Sequence, residues 1–305
     1  MSSEIFSIES KIAILEKNVP TGLELLNNCT VCPRECLVNR YADELGECGM
    51  PAGIGVSSAN LHFGEEPPIS GINGSGTIFL TGCNLHCEYC QNYPISQYRH
   101  GELYTSKQVA SMMLTLEKRG AHNINFVTPT HYVPKLMEAM LIAYKSGMKI
   151  PIVYNSSGYD SVETLKLLEG VVDIYMPDMR YAETANSLKY SDVYDYPEVN
   201  RRAITEMHRQ VGVLQMRNDV AVKGLLIRHL VLPGEISGSR EIFKFIAEEI
   251  SPETYVAVMS QYFPAYHACN FPEIAQRITE DEYDRVLHWF DKAGLFNGFI
   301  QPFSG

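Results

Sequence analysis

The chain has 305 residues, 45% of them hydrophobic and 20% charged, which is ordinary for a globular protein and long enough for one large α/β domain with a small appendage. Its formal net charge of −11, with no basic stretch to offset it, argues against nucleic acid as a partner. No run approaches ~18 apolar residues, and the N-terminus has no basic segment followed by an apolar one. Neither a membrane span nor a signal peptide is therefore expected, and the expected compartment is the cytoplasm.

Residues 1–72 contain four cysteines, many turn formers and no clear βα repeat. They are expected to form a Cys-rich metal-binding segment ahead of a barrel domain over 73–305. The spacing Cys29-x2-Cys32-x3-Cys36-x11-Cys48 gathers four thiols within twenty residues. In a chain without an export signal this points to metal ligation and away from disulfides. The metal stays open: zinc would make a closed structural site, and an auxiliary iron–sulfur cluster would relay electrons.

From residue 76 onward, short β-branched runs alternate with amphipathic helices. Strands are expected at 77–80, 123–127, 150–154, 172–176, 224–232 and 255–259. Thr105-x-x-Gln108 is a capping box, followed by Val109, Met112, Met113 and Leu116 at helical spacing. Pro134 suits a first helical turn, with Leu136, Ala139, Met140 and Ala143 as the buried face. Asp160-x-x-Glu163 is expected to open a third helix, and a longer one is expected over 197–214. Ile242, Phe245 and Ile246 mark the next, and Thr279-x-x-Glu282 caps the last. Six strands alternating with six helices predict an α/β fold, a partial (β/α)6 barrel of parallel strands.

The first expected strand leads into Thr81-Gly82-Cys83-Asn84-Leu85-His86-Cys87-Glu88-Tyr89-Cys90. Reactive groups of parallel barrels sit beyond the C-terminal strand ends, so these thiols occupy the working position. Three thiolates spaced Cys-x3-Cys-x2-Cys can hold three irons of a [4Fe-4S] cube and leave the fourth iron open. This pattern closely resembles the radical S-adenosylmethionine (radical SAM) superfamily, and its branch containing the pyruvate formate-lyase activating enzyme. The likeness covers roughly residues 75–270. It implies that the open iron binds SAM and that an electron from the cluster cleaves SAM to a 5′-deoxyadenosyl radical, which abstracts hydrogen from a substrate.

The resemblance also implies cofactor contacts. Tyr89 matches an aromatic position that contacts the SAM adenine. Thr128-Pro129-Thr130-His131 replaces the Gly-Gly-Glu-Pro segment of relatives, so Thr128 and Thr130 are expected to take over contacts to the SAM amino group. His131 is open to two readings, structural or proton-handling. Asn155-Ser156-Ser157-Gly158 resembles an Asp-Thr-Asn-Gly segment, and Met176-Pro177-Asp178-Met179-Arg180 a Met-Leu-Asp-Leu-Lys segment. Asn155, Ser157 and Asp178 are the expected cofactor-side residues. Arg228, a charge inside an apolar β-run, matches the arginine that pairs with the SAM carboxylate. Gln261 ends the sixth strand, where it would read ribose or adenine.

By resemblance, the substrate is a glycine in a partner glycyl-radical enzyme. The altered second-strand motif makes a small molecule or another peptide equally credible. A flavodoxin or ferredoxin is the expected electron donor, and neither nucleic acid nor membrane is an expected partner. The other class is an iron–sulfur electron-transfer protein, and the lack of a fourth cysteine just after Cys90 counts against it. Cys269 stands alone and is given no role.

Overall fold

The computed structural model describes residues 7–303. Its strands in chain order are β1 (Ile54–His62), β2 (Ser75–Leu80), β3 (Glu102–Tyr104), β4 (Ile124–Val127), β5 (Ile152–Asn155), β6 (Ile174–Tyr175), β7 (Gln215–Arg217), β8 (Val220–Leu230), β9 (Tyr255–Met259) and β10 (Gly298–Ile300). They lie side by side in the order β10-β9-β8-β6-β5-β4-β2-β1-β3, with β7 pairing antiparallel to β8. From β2 to β10 every neighbouring pair is parallel. All six expected strands are present within it, and the fold is the expected partial barrel.

Strand alternation divides the sheet into an outer and an inner face. Ile124, Phe126, Ile152, Tyr154, Tyr175, Leu225, Ile227, Val256 and Val258 join the large core shared with the helices. Val153, Ile174, Met176 and Leu226, of opposite parity, form a second cluster with Ile69 and Leu214. That second cluster is the apolar floor of the barrel. Further along the same inward rows, towards the C-terminal strand ends, come Asn155, Asp178 and Arg228.

The helix Ser106–Lys118 begins with the expected capping box at Thr105 and Gln108. Val133–Lys145 follows with Pro134 in its first turn and buries Leu136, Ala139, Met140 and Ala143. Glu280–Lys292 carries the other capping box, at Thr279 and Glu282. Two expectations are corrected. Asp160 does not open the third helix: the cap is Ser161 before Val162–Lys166, and the Asp160 carboxylate turns inward to three hydroxyls. The long helix is Tyr196–Val211, preceded by a separate one at Thr184–Ser191 whose last turn ends at left-handed Asp192.

The N-terminal segment is built into this sheet. β1 pairs antiparallel with β2, and β3 with β1. The helix Ile8–Glu24 is tied to the barrel by the buried ion pair of Lys11 with Asp173. The segment Pro67–Ser70 brings Ile69 into the barrel floor, where Asn123 donates to the Ile69 carbonyl. Among the described residues, no helix is long and apolar enough to cross a membrane.

Candidate active site

The loop after β2 turns at Gly82, whose φ of +74° lies in the left-handed region. A side chain there would also be blocked, because its Cβ would come within 2.7 Å of the Cys48 carbonyl oxygen. The turn delivers Cys83, then Cys87 and Cys90, which lie close enough for charge on Cys87 to disfavour ionisation of Cys83 and Cys90. Burial pushes the Cys83 thiol up to about 12 and raises Cys90 as well, so ionising the set calls for a cationic group in its midst.

Donors are already aimed at the sulfurs. Leu85 N–H donates to Cys83 Sγ at 3.4 Å, Ser191 Oγ to Cys87 Sγ at 3.0 Å, and Arg180 Nη1 to Cys87 Sγ at 3.6 Å. Ser96 Oγ lies 3.1 Å from Cys90 Sγ. Among the described residues, no three His, Cys, Asp or Glu side chains converge on a point for a single metal ion. A cube does not require that, since each thiolate takes its own iron. Three thiols ringed by hydroxyl, amide and guanidinium donors suit such a cluster.

Arg180 links this loop to the barrel mouth. Its Nη2 donates to Asp178 Oδ2 at 2.6 Å, while Arg228 donates to Asp178 Oδ1 from Nε at 2.9 Å and lies 2.8 Å away through Nη2. Asp178 sits at the end of β6, where Pro177 and Met179 continue the ladder with Arg228 of β8. Beyond Arg228 comes Glu65, whose carboxylate is 3.9 Å from Nη1 and whose side chain is 7% exposed. Burial raises both Glu65 and Glu66, with Arg228 pulling the other way. Glu66 Oε2 has no hydrogen-bond partner, and the buried Asn125 amide faces the Glu65 carboxylate. Arg228, Glu65, Glu66, Met259, Gln261 and Gln301 border a cavity of about 270 Å3.

The other expected residues occupy varied places. Tyr89 is buried, edge-on to Tyr181 and Tyr262, and accepts a 2.7 Å hydrogen bond from Tyr181. Thr128 holds a left-handed φ of +62° at the end of β4, a strained state for a β-branched residue. Thr130 donates its hydroxyl to Asp160, which also receives Tyr154 and Ser156. Asn155 and Ser157 are buried at the end of β5, and Ser157 Oγ has no partner. Gln261 is exposed and bonded to Gln301. His131 is buried and held down to about 3, chiefly by burial and then by Arg40, so it stays neutral at ordinary pH and donates through Nε2 to the Thr81 carbonyl.

Sequence reasoning missed Glu65, Glu66 and Asp160, and gave Arg180 no role of its own. Arg180 had a legible signal: it stands two residues after Asp178, on the same side of an extended segment. Glu65 and Glu66 had none, since a Glu-Glu-Pro-Pro run reads as a surface turn.

Fold and site together define a parallel barrel that presents three thiols at its first C-terminal strand end. The Radical SAM superfamily matches residues 77–186. An uncharacterized protein of Methanocaldococcus jannaschii is 31% identical over 294 residues, covering 92% of this chain and 80% of its own. Among solved structures, HydG, a maturase of the [FeFe]-hydrogenase, superposes with a TM-score of 0.51 at 13% identity, covering 96% of this chain and 65% of HydG. Streptococcus suis SuiB bound to its precursor peptide SuiA gives 0.51 at 11% identity, covering 72% of this chain and 46% of SuiB. These two likenesses concern the fold alone. The chain belongs to the radical SAM superfamily. It is a radical SAM enzyme, and membership carries with it a [4Fe-4S] cluster, SAM and the need for a reductant.

Proposed function

We propose that Cys83, Cys87 and Cys90 hold the cluster, that Asp178, Arg180 and Arg228 orient SAM at the barrel mouth, and that a small substrate or a single peptide side chain enters the lumen beside Glu65 and Glu66. The observation that carries this reading is the unbroken line Cys87–Arg180–Asp178–Arg228–Glu65, which runs from the thiols to the cavity wall. When bound, the cluster supplies one electron that cleaves SAM, and the radical so formed abstracts hydrogen.

The chain's own residues do the rest. Arg180 places positive charge against the Cys87 sulfur, where electron density rises on reduction. Asp178 fixes both guanidinium groups, leaving Arg228 Nη1 turned to the cavity. Thr128, Asn155 and Ser157 present hydroxyl and amide groups at neighbouring strand ends, suited to the polar atoms of SAM. A cavity of about 270 Å3 suits a small molecule. Activation of a glycyl-radical enzyme is supported by the likeness of residues 155–158 and 176–180 to the activating enzymes, and by nothing further.

The test is anaerobic reconstitution followed by dithionite and SAM. We expect 5′-deoxyadenosine and methionine, released slowly without substrate. A protein that assembles and reduces its cluster yet releases no 5′-deoxyadenosine would be an electron carrier, and the proposal would fail.

A further inference from the structure

We propose that Cys29, Cys32, Cys36 and Cys48 hold a second iron–sulfur cluster, closed by four thiolates, which passes single electrons to the cluster at Cys83, Cys87 and Cys90. The relay half of this proposal rests on the radical SAM reading above. The metal-site half stands on the N-terminal segment alone.

The two cysteine groups are in backbone contact. The Cys48 carbonyl lies so near Gly82, the residue before Cys83, that any side chain at 82 would strike it. Arg34, between Cys32 and Cys36, donates from Nε to the Asn84 carbonyl, the residue after Cys83, at 2.9 Å. Glu47, the residue before Cys48, lies 3.2 Å from His86, the residue before Cys87. Three separate links therefore join residues at or within two positions of the ligands of one group to residues adjacent to ligands of the other.

The N-terminal group also has the surroundings of an anionic thiolate centre. Cys29 and Cys32 are buried, and all four sulfurs interact electrostatically. Arg40 is 1% exposed. Its guanidinium donates to the carbonyls of His131 and Pro51 and lies over the Tyr132 ring. Among the described residues no ion pair joins Arg40 to a carboxylate, and the acidic groups it faces are Cys48 and the Tyr132 phenol. A buried cation without a counter-anion is costly, and a tetrathiolate metal centre with net negative charge resolves that cost. Arg34 Nη2 is likewise buried without a partner. Glu47 N–H donates to Cys36 Sγ at 3.4 Å, repeating the bond from Leu85 to Cys83.

The centre has a way in from solvent. Cys36 borders a surface cavity of about 440 Å3, together with Arg34, Glu47 and Arg99. A one-electron carrier protein docking there meets the four-thiolate cluster first. One electron enters from the carrier and one leaves towards Cys83, so the relay returns to its starting state with no bond or proton moved. Zinc at this site has no redox chemistry and carries no electron.

Anaerobically reconstituted full-length protein should bind about eight irons and about eight sulfides, two cubes in all. The triple variant C83A/C87A/C90A, checked for folding by circular dichroism, should keep about four of each and give a reduced-cluster EPR signal. In the wild type that signal should be broadened by coupling to its neighbour. One zinc and no sulfide in the triple variant would overturn the proposal. Two uncoupled signals would overturn the relay. For transfer itself, the probe is reduced flavodoxin. In Cys36→Ser, its reduction of the three-cysteine cluster should slow at least ten-fold more than reduction by dithionite does. Equal slowing with both reductants would overturn the relay and make the segment structural. Failure of the wild type to cleave SAM would count against the enzyme reading and leave the metal counts and EPR result standing.

Discussion

Asp178 is clasped by two arginines, Arg180 on Oδ2 and Arg228 on Oδ1. The side chains are 10%, 23% and 21% exposed, so the carboxylate compensates two largely buried cations at once. Asp178→Asn should destabilise the protein by about 3 kcal/mol, the low end for breaking a buried pair from one side. Urea unfolding of the holoprotein measures this. An unchanged midpoint would show that water compensates the arginines.

Arg228→Lys separates cofactor binding from folding. Lysine keeps the charge but loses the fork that reaches Asp178 from two nitrogens. Loss of one charge-assisted bond is worth about 1.5–3 kcal/mol, roughly ten- to a hundred-fold in affinity. SAM titration of the reconstituted enzyme should show that weakening, with circular dichroism unchanged.

Gly158 adopts φ +72°, and a Cβ there would lie 2.1 Å from Asn200 Nδ2 and 2.3 Å from the Asp178 carbonyl oxygen. Gly158→Ala combines left-handed strain with overlap against the segment that holds Asp178. A loss of about 3 kcal/mol is expected, together with weaker SAM binding. A variant as stable as the wild type would mean that the loop moves freely.

Lys11 and Asp173 pair with side chains 4% and 8% exposed, and Asp173 also accepts the Ile152 N–H. Lys11→Ala should cost about 3 kcal/mol by removing the paired cation, with the Ile152 N–H and Lys223 still facing the carboxylate. Adding Asp173→Asn should recover part of that loss, and the double-mutant cycle reads the coupling. Additive effects would show that the N-terminal helix is held by its apolar face alone.

His131 and His229 are held down to about 3 and about 4, both chiefly by burial. Their folded forms refuse protons that the unfolded chain accepts below about 6.5. Between those values the unfolded state binds more protons, so stability should fall as pH drops, by about 2 kcal/mol per histidine at pH 5. Above about pH 7.5 neither contributes a slope. His229→Gln should flatten the acid limb of the stability profile, and an unaltered limb would assign it to carboxylates.

The local code of the chain determined its strands, its capped helices and its two thiol groups. Alternation and helical spacing are short-range patterns, so β2, β4, β5, β6, β8 and β9 and the boxes at Thr105 and Thr279 were legible from the chain, while the short β3 and β7 were not. The Cys-x3-Cys-x2-Cys spacing was legible for the same reason, since ligands on one loop need no distant partner. Asp160 misled because an Asp three residues before Glu163 suits a capping box, while packing instead turned it towards Thr130, Tyr154 and Ser156. Only the tertiary structure decided that Glu65 and Glu66 enter the barrel, that Arg180 bridges Cys87 and Asp178, and that Cys48 lies against Gly82. Those relationships join residues far apart in the chain, and their energies come from burial and charge compensation that exist only once the barrel has closed around them.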